Sequence, residues 1–78
     1  MIQSLNTLLP GDRAVVLEIR KDAGSIRRRL MEIGLTAGTQ LEFLRHAPFG
    51  DPIEIRIGDT RLSLRRAEAA SVIIERTE

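Results

Sequence analysis

The sequence predicts a mainly β fold, a small and partly open barrel of about five short strands with one short inserted α-helix. Three observations carry this. Apolar and polar residues alternate over short runs, most plainly in Ile53-Glu54-Ile55-Arg56-Ile57. Turn pairs rich in Gly and Pro divide those runs. One stretch, from Ile26 to Ile33, changes to helical spacing. A flat sheet of so few strands would leave an apolar face in water, whereas curling it buries that face and removes most open edges.

The elements follow in order. Leu5 to Leu9 is a lead-in closed by the Pro10-Gly11 turn. Arg13 to Ile19 is the first strand; Val15, Leu17 and Ile19 make its more apolar face and are expected in the core, with Ala14, Val16 and Glu18 facing away. Lys21-Asp22-Ala23-Gly24 breaks that strand, and Ser25 is placed to cap the helix that follows. Ile26, Leu30 and Ile33 recur at i, i+4 and i+7, so they form one stripe against the sheet, and Arg27, Arg28 and Glu32 occupy the other side. Gly34 stands at the position of a left-handed stop, and Gly38 opens the next strand.

Thr39 to Arg45 alternates with Leu41 and Phe43 inward and Leu44 on the opposite face. After the Ala47 to Pro52 loop, Ile53–Ile57 and Arg61–Arg65 flank Gly58-Asp59, which reads as a hairpin because Gly supplies the positive φ of a tight turn. Arg66 to Ala70 is one helical turn, and Val72 to Glu75 is the closing strand.

The 78 residues fit one domain, 1–78, near the lower size for a core without staples. Cysteine is absent, so no disulfide or thiolate site is available, which suits a reducing cytosol. The core is aliphatic, since Phe43 and Phe49 are the only aromatics. Twelve basic and eleven acidic residues leave a charge of +1, too small to draw the chain onto nucleic acid or anionic lipid by net charge, so any electrostatic function is local. Apolar runs fall far short of the roughly 20 residues that span a bilayer, and no signal peptide opens the chain. A cytoplasmic location is expected.

Two blocks carry further information: Arg27-Arg28-Arg29-Leu30-Met31-Glu32-Ile33-Gly34-Leu35-Thr36-Ala37-Gly38-Thr39 and Ala47-Pro48-Phe49-Gly50-Asp51-Pro52-Ile53. With Leu9-Pro10-Gly11-Asp12, Leu62-Ser63-Leu64-Arg65-Arg66 and Glu68-Ala69, their order and spacing resemble the FeoA family, the small cytoplasmic component of bacterial ferrous iron transport. The resemblance implies an SH3-like barrel and a non-enzymatic accessory role, with regulation by contact on FeoB, the large membrane ferrous iron transporter whose cytoplasmic part binds GTP. By the same carry-over the contact surface includes Arg27, Arg28, Met31, Glu32, Leu35, Pro48, Phe49 and Asp51. Gly11, Gly34, Gly38 and Gly58 are structural by their turn and cap positions. Self-association stays open beside that partnership.

Read from the residues alone, catalysis finds little support: His46 is the sole histidine, and no serine has a base and an orienting group beside it in sequence. No cofactor and no metal site are expected, because Glu42 and Asp51, the nearest hard ligands to His46, give no recognised ligand spacing. Arg27-Arg28-Arg29 has three readings: a solvated face, a docking surface, or an arginine finger entering a GTPase site in trans. Phe49 has two, an outward contact or a plug folded back onto the barrel end. A polyproline groove is excluded because no Tyr or Trp is present to line it.

The alternatives come from other classes. One is an SH3-like regulatory domain related to iron-dependent repressors, against which stands the lack of a helix-turn-helix ahead of the barrel. The other is a small nucleic-acid-binding barrel, against which stand the low net charge and the missing stacking aromatics.

Overall fold

In chain order, the computed structural model, which describes residues 1–77, contains β1 (Ile2–Ser4), β2 (Arg13–Ile19), α1 (Ser25–Glu32), β3 (Gln40–His46), β4 (Ile53–Ile57), β5 (Thr60–Leu64), α2 (Arg66–Ala69) and β6 (Val72–Arg76). Short 3-10 turns occupy Leu5–Thr7 and Lys21–Ala23. The strands form one antiparallel sheet in the order β1-β6-β2-β3-β4-β5, mainly β and not closed, since β1 and β5 remain its two edges. Six strands replace the expected five. The additional one, β1, is too short to show alternation, and it forms because β6 offers it a free edge, with Ile2 opposite Glu75 and Ser4 opposite Ile73.

The inner face of β2 is the reverse of the expected one. Ala14 and Val16 are buried, whereas Val15 and Leu17 are only half-buried. Cross-strand partners decide this, because residues directly opposite share a face. Val16 lies opposite Ile74, which is wholly buried. Between Val16 and Glu18 the register shifts, so Leu17 is an extra residue and Ile19 returns to the core. A second shift between Phe43 and Arg45 does the same at Leu44 on β3. Phe43 and Ile55, opposite one another before that shift, are both fully buried as the alternation requires.

The β4–β5 hairpin forms across Gly58-Asp59 with Ile57 opposite Thr60, and Gly58 takes a φ of 58°. On the outer face of the sheet, opposed side chains pair by charge. Arg56 donates to Glu42 at 2.6 Å and Arg45 to Glu54 at 2.9 Å. These hydrogen bonds hold both carboxyls below the ordinary glutamate range and raise Arg45.

One cluster makes the core. Phe43, Ile53, Ile55, Leu64, Val72 and Ile74 come from strands, Leu30 and Ala69 from helices, and Leu5 and Leu8 from the lead-in. No helix among the described residues is long and apolar enough to cross a membrane.

The helix stripe is corrected in two places. Ser25 does not cap α1: the preceding 3-10 turn runs straight into it, so Gly24 is the N-cap and no side chain caps the start. Of the stripe, Leu30 is fully buried and Ile26 packs partly on the core, but Ile33 is 36% exposed. Its place is taken by Leu35. At the end of α1 the Gly34 N–H donates to Met31 O at 3.1 Å and the Leu35 N–H to Leu30 O at 3.0 Å, a complete Schellman closure. Gly34, with φ 108°, turns the chain so that Leu35 meets Leu30 in the interior. Gly11 and Gly38 also have positive φ, as expected of turn glycines.

Candidate functional site

The expected contact surface draws on α1 and on the Ala47 to Pro52 loop, and the structure joins the two through α2. Consecutive helical residues are about 100° apart, so Arg27, Arg28 and Arg29 fan out from α1, and they have different fates. Arg29 turns toward α2 and ion-pairs with Glu68, the only buried charged residue among the described residues, at 4% exposure. One Glu68 oxygen accepts from the Arg29 guanidinium and the other from the Arg65 N–H at 2.9 Å. The next amide, Arg66 N–H, donates to Asp51 Oδ1 at 3.0 Å. Two successive amides at the start of α2 are thus held by two different carboxylates. One is tied to α1 and the other belongs to the loop.

The loop is a tight turn. Gly50 N–H donates to Ala47 O at 2.7 Å and Ala47 N–H to Pro52 O at 2.9 Å. This leaves Pro48 exposed and lifts Phe49 to 99% exposure. The plug alternative is therefore excluded, and the ring projects into solvent. Asp51 is exposed, although its carboxylate is engaged at α2.

Arg27 and Arg28 remain on the outer side of α1. With Lys21, Met31, Glu32 and Thr36 they line a groove, and Arg27 and Met31 also border an adjoining depression that includes Leu17 and Ala37. Arg27, Arg28, Met31 and Glu32 are all exposed, as a contact role requires. Leu35 is not. It is fully buried beneath the Schellman turn, because the reversal at Gly34 sends its side chain into the core, so it leaves the set of surface residues.

His46 ends β3 half-buried, with its ring 5.0 Å from that of Phe43 and tilted by 57°. Among the described residues no group of three or more His, Cys, Asp or Glu side chains is arranged to hold a metal ion. Sequence reasoning missed the pairing of Arg29 with Glu68. What the sequence does signal is the bond from the Arg65 N–H to Glu68, which stands at the third position of α2, three residues after its N-cap.

Comparison with known proteins gives a consistent result. A sequence model of the FeoA domain matches residues 3–76. An Fe(2+) transport protein A/Fe(2+) transporter FeoB fusion protein of Porphyromonas gingivalis is 37% identical over 71 residues, which are 91% of this chain but only 8% of the relative. Among solved structures, a FeoA-like protein from Clostridium acetobutylicum superposes with a TM-score of 0.91 at 31% identity, covering 99% of this chain and 88% of that one. A zinc complex of FeoA from Stenotrophomonas maltophilia, described as a prokaryotic SH3 domain protein, gives 0.81 at 30% identity over 94% of this chain and 89% of that one. A manganese-dependent transcriptional repressor shares the fold alone, with a TM-score of 0.85 at 20% identity over 96% of this chain and 41% of that one. With the matched model spanning nearly the whole sheet and an SH3-like FeoA superposing on it, the chain belongs to the FeoA family of ferrous iron transport proteins.

Proposed function

We propose that this chain is a non-enzymatic cytoplasmic accessory protein of bacterial ferrous iron uptake that acts by contact on the cytoplasmic, GTP-binding part of a FeoB-type transporter. The observation that carries the reading is the Phe49 loop tip, fully exposed and tied through Asp51 and α2 to the helix that bears Arg27 and Arg28. An exposed ring on a braced turn is costly to leave in water and is the kind of anchor in which interface energy concentrates. The occurrence of a FeoA and a FeoB in one fused relative supports the choice of partner. Among the described residues no serine or threonine hydroxyl is hydrogen-bonded to a histidine or a carboxylate, which supports a mechanical or electrostatic effect on the partner.

The test is a pull-down with the cytoplasmic part of a FeoB from the same organism. Phe49→Ala and Arg28→Glu should each weaken binding by at least about 1 kcal/mol while the fold is retained, because surface changes of this kind alter stability by no more than about 0.5 kcal/mol. Unchanged affinity in both variants would remove the surface, and failure of the wild-type protein would remove the partnership. An arginine-finger mechanism requires in addition that GTP hydrolysis by the partner accelerate and that one substitution abolish the acceleration. Arg27 and Arg28 are the residues to test, since Arg29 is engaged by Glu68.

A further inference from the structure

We infer that the groove along α1 receives an acidic linear segment of a protein partner, one that carries an apolar side chain among its carboxylates. Only the identity of the partner rests on the function proposed above; the chemistry of the occupant rests on the groove.

The charge is the first argument. Of the cations adjoining the groove in sequence, Arg20 pairs with Asp22 and Arg29 with Glu68. Lys21, Arg27 and Arg28, which share one groove, have no ion-pair partner among the described residues. Three cations against the single carboxylate of Glu32 leave the groove itself a local charge of +2, with one further carboxylate, Glu18, at the adjoining depression. Protein surfaces meet complementary charge at interfaces, and guanidinium groups match carboxylates with two parallel hydrogen bonds. The groove therefore selects an anionic occupant.

The second argument is the apolar component. Met31 lies between the two arginine positions, 41% exposed, and with Arg27 it forms the ridge leading to the depression at Leu17 and Ala37. A thioether on such a ridge adapts to differently shaped apolar partners. Carboxylates on one side and a leucine-like side chain over Met31 satisfy both halves. Nucleic acid fits less well: its affinity scales with the number of phosphates neutralised, and here three free cations stand without a stacking ring, since Phe43 is buried and Phe49 lies on another loop.

The experiment uses the intact chain, labelled with nitrogen-15, and the blocked peptide Glu-Glu-Leu-Glu-Glu-Leu as probe. Saturable shifts should appear at the amides of Gly24, Arg27, Arg28, Met31 and Thr36, and should fade as salt is raised. Affinity should fall about fivefold in Arg28→Glu or in Arg27→Glu, and a peptide with Lys in place of Glu should give no shifts. The inference is overturned by an absence of shifts, by shifts centred elsewhere, by unchanged affinity in both variants, or by an oligonucleotide of mixed sequence producing the same saturable pattern. None of these readouts involves the transporter. Peptide binding without transporter binding would keep the groove and discard the proposed partner, whereas transporter binding insensitive to salt and to both arginine reversals would do the opposite.

Discussion

Gly34 shows how much one backbone angle decides. Its φ of 108° closes α1 and aims Leu35 inward, and a Cβ built there would meet nothing within 4 Å. Any cost of replacing it is therefore backbone strain and not collision. Gly34→Val should lower stability by more than about 1 kcal/mol, whereas Gly34→Asn should be milder because Asn tolerates positive φ. Thermal melts of the two variants decide the matter, and equal melting temperatures would show that the turn carries no strain. Phe49 and Leu35 illustrate the opposite limits of what single residues disclose. Both are large apolar side chains next to glycine, yet one is fully exposed and the other fully buried. Phe49 stands between turn residues, and that local context is readable from the sequence. The burial of Leu35 depends on the direction in which Gly34 releases the chain.

Between elements, the junction at α2 makes a specific demand. Glu68 serves α1 through Arg29 and α2 through the Arg65 amide, so removing it loosens two neighbours at once. Glu68→Ala should cost about 1–3 kcal/mol and accelerate amide exchange at both Arg65 and Arg66. Arg29→Ala should cost less, because that side chain is 60% exposed and its pairing is screened by solvent. Exchange unchanged at Arg66 in Glu68→Ala would mean that Asp51 holds the loop independently. The outer-face pairs give a pH prediction. Folding depresses the Glu42 and Glu54 carboxyls, so their contribution is present above the unfolded value near 4.5 and is lost as pH falls through the lower folded value. The double variant Arg45→Ala/Arg56→Ala should accordingly lose less stability than wild type between pH 4.5 and more acid conditions, as read from melts across that range. What the sequence disclosed at this scale follows the range of the signals. The β4–β5 hairpin, α2 and β6 are written in adjacent residues, as alternation and turn pairs. The bulges at Leu17 and Leu44 were hidden because cross-strand partners set them. The Arg29–Glu68 pair spans 39 positions, beyond any local pattern.

For the molecule as a whole, the SH3-like architecture was accessible because family motifs lie along nearly its entire length, while strand number was not, since three residues such as Ile2–Ser4 carry no periodicity of their own. The candidate surface divided similarly. Exposure of Arg27 and Arg28 followed from helical spacing, whereas the outward setting of Phe49 and the physical link between helix and loop emerged only with the fold. The pairing of β1 with β6 has one more consequence. Ile2 lies opposite Glu75, and the Arg76 N–H donates to Met1 O at 3.1 Å. The described ends of the chain meet at one seam, so the path of the backbone, unlike the open sheet, nearly closes on itself. Joining the ends with a short Gly-Ser bridge and opening the chain at the exposed Gly58-Asp59 turn should give a circular permutant with the same amide spectrum away from the cut and an unchanged groove at α1. A permutant that fails to fold would show that the β4–β5 turn must be covalent for the sheet to assemble, and would make that hairpin, and not the seam, the place where folding begins.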